Sequence, residues 1–460
     1  MRLPPEGRGS AWPASPTVGL ATGLRSVRAG LDPETYFRRQ SDRPDPFVVI
    51  FPGLGRVHFF TTAEDSRRIL TMPREALCAP TPNPIESIVG PNSVILTSGE
   101  QHGCQRRLLS PAFQGAPMRR RADTMATAVL TEITDWRPGD RVPLHRTARK
   151  ITLRIIIETV LGLRHDRADE FAHVVTELMN ANTAPLMLLP ALRRNLAGLG
   201  PWARLERLRT QFETLVSAQL EHDRRCPCAT NGSVLSQLLH ETEGESAPVN
   251  DQDLQQQLRT MMIAGHDTTA AALAWALYHL HRDTDVRARL AEELSTDPAP
   301  HEMPRLPYLS AVIKETLRMH PAVPIILRTL VEPRSVGRMQ FSAGDTVGIA
   351  IPAIHFSHDL WHDPYRFNPD RFFDSKPTPF AYLPFGGGHR RCLGAAFAHD
   401  ELAIAIGTMM RTVALIMPRR ERRRSPPRSI PRGIAVIPRR EIKLVVTGGA
   451  GAWPGHPAVS

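Results

Sequence analysis

Four short stretches of this chain carry residue types whose spacing can do chemistry. The first is Phe385-Gly386-Gly387-Gly388-His389-Arg390-Arg391-Cys392-Leu393-Gly394, a cysteine set after a glycine-rich, doubly basic turn and ahead of an apolar helical pattern (Ala395, Phe397, Leu402, Ile406, Met409). Backbone N–H groups point outward at a helix N-terminus, the dipole there is positive, and two arginines add charge, so all these terms favour thiolate over thiol. A thiolate held on such a turn is either a nucleophile or a soft metal ligand. A nucleophile wants a histidine base, and His389 is near in sequence. Glycines that let a large flat group approach the backbone, with arginines to pair its acids, fit ligation better. Haem iron held by one cysteine thiolate is such a case.

The second stretch, Ala264-Gly265-His266-Asp267-Thr268-Thr269, puts small residues and an acid beside two hydroxyls inside a long helical pattern. A threonine that bonds back to the i−4 carbonyl locally opens a helix and makes a groove for dioxygen and water. A kink without chemistry accounts for the same letters. The third, Glu315 to Arg318, is an acid–base pair on one helix face, worth little when exposed. It gains meaning if Arg371, in Asn368-Pro369-Asp370-Arg371, completes a buried Glu/Arg/Arg cluster. In the fourth, Gly99–Arg107, His102 and Arg106 fall one helical turn apart, suited to grip a carboxylate or simply to line a solvated basic helix.

The elements that must position these residues are mostly helices. Apolar periodicity predicts helices over 62–70, 101–109, 117–136, 144–163, 168–180, 201–224, 234–241, 286–294 and 309–320. The longest runs from Asn250, which with Asp253 has the shape of an N-cap box, to about Arg282. Residues 46–60 read as a β-hairpin, 322–355 as a small mixed sheet, 356–391 as an irregular proline-rich meander, and 432–446 as two short strands. The loop 78–98 is long enough to be functional. The expected architecture is mainly α with a small β-rich lobe: one domain over 45–446, with tails at 1–44 and 447–460.

In this order and spacing the four stretches resemble the cytochrome P450 family over roughly residues 45–446. Its ligand signature is matched at Phe385, Gly388, Arg390, Cys392 and Gly394, its oxygen-activation signature at 264–269, and its Glu-x-x-Arg pair at Glu315 and Arg318. The resemblance implies haem b between the long helix and the Cys392 helix, with Cys392 as iron ligand and Phe385 packed beneath the ring. It implies propionate contacts from His102 (where the family commonly carries Trp), Arg106, Arg328 and Arg390. Asp267 and Thr268 would relay protons to dioxygen, and Glu315, Arg318 and Arg371 would fix the meander. Ala264, Val323, Ile325 and Ile434 would line a pocket for a hydrophobic substrate, covered by the segments 81–94 and 180–199. The implied reaction is monooxygenation: RH, O₂, two electrons and two protons give ROH and water.

Composition narrows the setting. The chain has 460 residues, 42% of them hydrophobic, enough for a large core. Five scattered cysteines do not form a disulfide framework and point to a reducing, cytoplasmic compartment; Cys226 and Cys228, in a polar stretch, read as a surface linker. No apolar run reaches the length of a membrane span, so no transmembrane anchor is expected. The net charge of +11 includes +8 between Met417 and Lys443, where ten Arg/Lys meet two Glu without stacking aromatics. That pattern gives no nucleic-acid module. No flavin or ferredoxin portion is recognised, so electrons are expected from a separate ferredoxin-type donor. Five arginines and no acid between Cys104 and Arg121, with Arg390, Arg391 and Arg411, would give that donor a basic docking face. A haem-thiolate protein that binds or senses a ligand without turnover is the alternative, which the intact Asp267–Thr268 pair opposes.

Overall fold

The computed structural model describes residues 20–448 except 42, 44–45, 52–53, 182–185, 187–191, 195–197, 226–231, 243–249 and 374–375. Cys226 and Cys228, and most of the expected cover over 180–199, lie outside the described residues. The axis of the fold is the helix Asp251–Arg282, started by Asn250, whose side chain accepts from the Asp253 N–H at 2.8 Å. From Gln256 to His281 every residue on it is buried except Ala264, Gly265 and Thr268. A helix apolar on all sides must be surrounded. The helix Leu144–Ile156 runs along one side and Ala395–Thr412 packs on another.

Gly265 has a specific role in that packing. A Cβ there would lie 2.8 Å from Ile156 Cδ1. The small residue therefore admits a neighbouring helix at this point. The Leu144–Ile156 helix then widens into a π-helical turn over Ile157–Leu161, where the apolar pattern predicted α-helix through residue 163. Periodicity near four residues per turn does not separate the two.

The β-rich lobe centres on a five-stranded sheet in the order Phe47–Phe51, Gly55–Phe60, Thr346–Ala350, Ile325–Leu330, Leu77–Cys78. Gly55–Phe60 and Thr346–Ala350 pair parallel, starting at Val57 opposite Thr346; the other pairs are antiparallel. A hairpin, Ser429–Arg432 with Ala435–Pro438, is tied to the segment just before the strand Ile325–Leu330 by Val436 N–H donating to Ala322 O at 2.9 Å.

The folded part begins before residue 45. Leu20–Leu31 and Pro33–Arg38 are helices, and Asp32 caps the second by accepting from Thr35 N–H at 3.1 Å. Phe37 is fully buried against Phe47 and Phe59. The expected loose N-terminal tail is thus corrected over these residues: one buried aromatic and a capped turn anchor what low apolar density had made look unstructured. No described helix is long and apolar enough to cross a membrane.

Candidate functional site

Cys392 ends a tight turn that only glycine allows. Gly388 has φ +64°, and a Cβ there would lie 1.9 Å from the backbone oxygen of Leu70. Arg391 N–H closes the turn onto Gly388 O at 3.1 Å and Cys392 N–H donates to Phe385 O at 2.8 Å. The helix proper starts at Ala395 with Gly394 as its cap. Cys392 is uncovered by other side chains, yet enough polypeptide surrounds it that burial pushes its thiol up. The Gly394 N–H, Arg391 and Arg106 pull the other way and do not win. The sulfur is thus accessible, from a recess in the surrounding polypeptide. The charge argument from sequence omitted this desolvation, and a metal ion on the sulfur would reverse it.

Around the same recess the fold gathers arginines and uncharged histidines. His102, on the helix Gly99–Leu109, is buried with no partner for Nδ1. Burial, then Arg390, Arg106, His389 and Arg74, hold it down to about 3. Arg328 is pushed down to about 9 by burial and by Arg390, and among the described residues it donates to Leu327 O alone, at 2.7 Å. Arg390, pushed down to about 10 chiefly by burial, reaches Ile95 O at 3.2 Å, Thr97 O and Ser98 Oγ, leaving Nε without a partner. Arg106 donates to Arg391 O at 2.8 Å. Among the described residues none of these groups forms a salt bridge. Cations left without acids in a desolvated place need an anion.

Arg74 and His389 belong to this group and were not predicted to. Arg74 fits because position 103 is glycine: a Cβ there would lie 1.8 Å from Arg74 Nη1. The notch between His102 and Cys104 is the signal that could have found it. His389 stands edge-on to His102 with ring centres 6.1 Å apart. The donor set fits a flat group with two carboxylates and a metal that takes a soft ligand, as haem b would be.

Across the recess lies the open stripe of the long helix. Thr268 Oγ1 donates to Ala264 O at 2.6 Å, the back-bond foreseen from its position. Asp267 points elsewhere. Its Oδ1 accepts from Arg149 Nε at 3.0 Å and lies 3.4 Å from His266 Nε2, while Oδ2 has no partner among the described residues. Burial is the main reason that His266 and His145 are both held down to about 4, with Arg149 and Arg432 adding to it against the opposing pull of Asp267. Arg149, on the neighbouring helix, carried no signal in sequence that linked it to Asp267.

Val323 is 39% exposed, Ala264, Ile325 and Ile434 are partly exposed, and the Val436–Ala322 bond brings the Ile434 turn to the Val323 segment. Ile85, Ile88, Val89 and Leu96 of the long loop pack on Ile263. The loop's backbone is fastened to the long helix: Asn92 N–H to Gln256 Oε1 at 3.1 Å, Val94 N–H to Gln257 Oε1 at 3.0 Å, and Gln257 Nε2 to Asn92 O at 2.7 Å. These two buried glutamines were also missed, because a glutamine on a helical stripe ordinarily reads as its polar face.

Behind the recess, Glu315 is fully buried and fully used. It accepts from Arg318 Nε at 2.7 Å, Arg318 Nη2 at 2.9 Å, Arg371 Nε at 3.1 Å and Asn368 N–H at 2.9 Å. Two expected surface arginines are not on the docking face. Arg121 is buried, donating to Ala112 O at 2.6 Å and Gly232 O at 2.9 Å. Arg411 pairs with Asp297 at the far end of the 18-residue helix, roughly 27 Å of helix from its start.

A family model described as Cytochrome P450 matches residues 11–446. A Mycobacterium tuberculosis protein named as cytochrome P450 138 is 32% identical over 415 residues, covering 88% of this chain and 92% of its own. Another from that organism, named as cytochrome P450 135B1, is 34% identical over 337 residues, covering 72% and 70%. Among solved structures, a retinoic-acid-bound cyanobacterial CYP120A1 superposes with a TM-score of 0.80 at 22% identity, over 92% of this chain and 96% of its own. A cytochrome P450DA heme domain gives 0.78 at 21% identity, over 94% and 95%. The last two are similar in fold.

Proposed function

The chain belongs to the cytochrome P450 family of haem-thiolate monooxygenases, and from that membership we propose that it holds haem b through Cys392 and hydroxylates a hydrophobic organic substrate, in the cytoplasm, with electrons from a separate ferredoxin-type protein. The observation that carries this reading is the pairing of an uncovered, desolvated cysteine with a group of cations that has no acid of its own.

Bound haem would supply activation of dioxygen and insertion of one oxygen atom into a C–H bond. The residues supply the rest. Cys392 would hold the iron through its sulfur, with the Gly394 N–H and Arg391 stabilising the negative charge. Arg106, Arg328 and Arg390, joined by Arg74, would neutralise two carboxylates, and His102 and His389, uncharged, would donate ring N–H groups to them. Thr268 donates its hydroxyl proton to Ala264 O, so its oxygen keeps lone pairs free to accept a hydrogen bond from a water. Asp267 Oδ1 is held by Arg149, so a proton entering by this acid travels on Oδ2. Ala264, Val323, Ile325 and Ile434 present apolar surface to a substrate. Arg107, Arg119, Arg120 and Arg391 are exposed and suit an acidic donor.

The test is the spectrum of the reduced, haem-loaded protein with carbon monoxide. A Soret band shifted strongly to the red is expected, and its loss in Cys392→Ala; an unshifted band in the parent protein refutes the reading. Thr268→Ala should consume reductant without matching product and release peroxide. For the donor face, charge reversal at Arg107 and Arg391 should slow reduction at low salt by about tenfold or more; an unchanged salt dependence refutes that face.

A further inference from the structure

The basic stretch after Met417 has no part in the site above. Inside it, Arg419–Arg422 forms one helical turn, closed by Arg422 N–H donating to Pro418 O at 3.0 Å and Arg423 N–H donating to Arg419 O at 3.1 Å. Arg423 continues the helical backbone, with φ −78° and ψ −13°. Pro418 leads into the turn, and Pro426 and Pro427 follow it.

The turn sorts its charges by face. Successive helical residues are rotated by about 100° about the axis. Arg419, Arg420, Arg422 and Arg423 therefore share an arc of about 160°, and Glu421 lies opposite them. Glu421 faces the fold: its side chain is 12% exposed, Arg440 takes its Oε1, and Arg424 Nη1 lies 3.5 Å from its Oε2. The four arginines of the outer arc are exposed, and among the described residues none of their side chains has a hydrogen bond or a salt bridge.

The flanks add charge to this face. Arg440 also reaches Ser425 O at 3.3 Å, and its neighbour Arg439 donates its N–H to Arg428 O at 2.8 Å, so the exposed Arg428 and Arg439 adjoin the turn. On another side Arg287, bonded to Leu415 O at 3.3 Å, is pushed down by burial and then by Arg422. The next acid in the chain, Glu441, accepts from His145 N–H at 2.9 Å. Cations crowded by cations on one face draw a broad anionic partner.

The shape selects which. No residue of the turn is buried, and residues 417–443 contain no aromatic side chain. A protein interface is centred on an apolar, aromatic-rich core, and a single-stranded nucleic acid stacks its bases on aromatic rings. A bilayer with anionic headgroups needs only basic side chains at its surface, and a cluster of about four to eight is enough.

We propose that this face seats the protein on an anionic lipid surface, with the four arginines of the turn among the phosphate headgroups and Arg428 and Arg439 beside them. The helix Ala395–Thr412 puts about 27 Å between the Cys392 turn and the start of this segment, so a seated protein keeps the donor face open to solution. A hydrophobic substrate would concentrate in the same bilayer. That consequence rests on the haem-site reading, whereas the seating itself does not.

Co-sedimentation of the haem-loaded full chain with lipid vesicles tests the face. At low salt, phosphatidylcholine vesicles containing about 30% phosphatidylglycerol should bind about tenfold or more tighter than phosphatidylcholine alone, and about 0.5 M salt should abolish the difference. Each basic side chain at such a surface raises binding about fivefold. The variant Arg419→Gln/Arg420→Gln/Arg422→Gln/Arg423→Gln, at four exposed and unpaired positions, should therefore lose about a hundredfold or more. Arg107→Gln/Arg119→Gln/Arg120→Gln/Arg391→Gln removes the same charge from the donor face and should change vesicle binding by less than about threefold. Equal binding to neutral and anionic vesicles overturns the proposal, as does an equal loss in the two variants. Binding to duplex DNA or to polyglutamate that is tighter than to anionic vesicles, and is lost in the first variant, also overturns it and assigns the face to another partner. The vesicle result stands whatever the carbon monoxide spectrum shows, so failure here and failure of the haem-site reading are told apart.

Discussion

Two charged clusters flank the Cys392 recess and they are built on opposite principles. At Glu315 each charge is matched: two arginines and a backbone N–H satisfy the carboxylate, and the spare N–H groups of Arg318 go to His355 O at 2.6 Å and Pro364 O at 2.8 Å. At Arg328 and Arg390, cations stand together in a desolvated place with carbonyl and hydroxyl partners but no acid. Both clusters are rich in arginine. The closed one is structure, because the fold itself supplies each partner. The open one is a site, because the partner must arrive from outside. The Asp267 cluster lies between them, with one oxygen locked by Arg149 and the other free.

The contrast can be broken most forcefully at the closed cluster. Arg318→Met keeps the volume and removes the charge, stranding Glu315 among apolar groups. Breaking a buried pair from one side costs about 3–5 kcal/mol. Urea denaturation of Arg318→Met should therefore show a loss of that size with or without haem, since nothing about the closed cluster waits for a ligand. A variant as stable as the parent would remove the distinction.

The intermediate cluster predicts a pH effect. His145 and His266 titrate at about 4 in the folded protein, against 6.5 for an unperturbed histidine. Between those values the unfolded chain binds more protons than the folded one. This contribution is full above pH 6.5 and is lost as pH falls toward 4. At pH 5 the two together should have cost about 2–4 kcal/mol. His266→Gln should flatten the dependence of the denaturation midpoint on pH over this window; an unaltered slope would mean that His266 protonates freely in the fold.

How legible each cluster was in the sequence follows the same division. At the closed cluster Glu315, Arg318 and Arg371 were legible, because Glu315 and Arg318 share a helix face and Arg371 sits in a recognisable meander, whereas the Asn368 N–H, His355 O and Pro364 O partners were not. The long helix, its Asn250 cap and the Thr268 back-bond were legible because all three depend on local spacing. Arg74, Arg149 and Gln257 were not, because each acts on a residue far away in the chain, and no local pattern distinguishes such a residue from a solvated one. The thiol of Cys392 was misjudged for a related reason: neighbouring charges can be read from the sequence, but desolvation by the whole fold cannot. The N-terminal helices were missed because one aromatic, Phe37, anchors them, and composition averages it away.

The last test applies the Arg318 substitution to the open cluster and expects the opposite sign. Arg328 is a cation that burial pushes down to about 9, with a single backbone acceptor. In haem-free protein, Arg328→Met removes an unpaired desolvated charge and leaves no stranded acid, so stability should hold within about 1 kcal/mol of the parent or rise. In haem-loaded protein the same change takes away a partner of a carboxylate, so the rate of haem transfer to a competing acceptor protein should increase by about tenfold. The two measurements must diverge. If Arg328→Met weakens the haem-free protein as Arg318→Met does, then Arg328 is held by the fold after all, and the open cluster is structure rather than site.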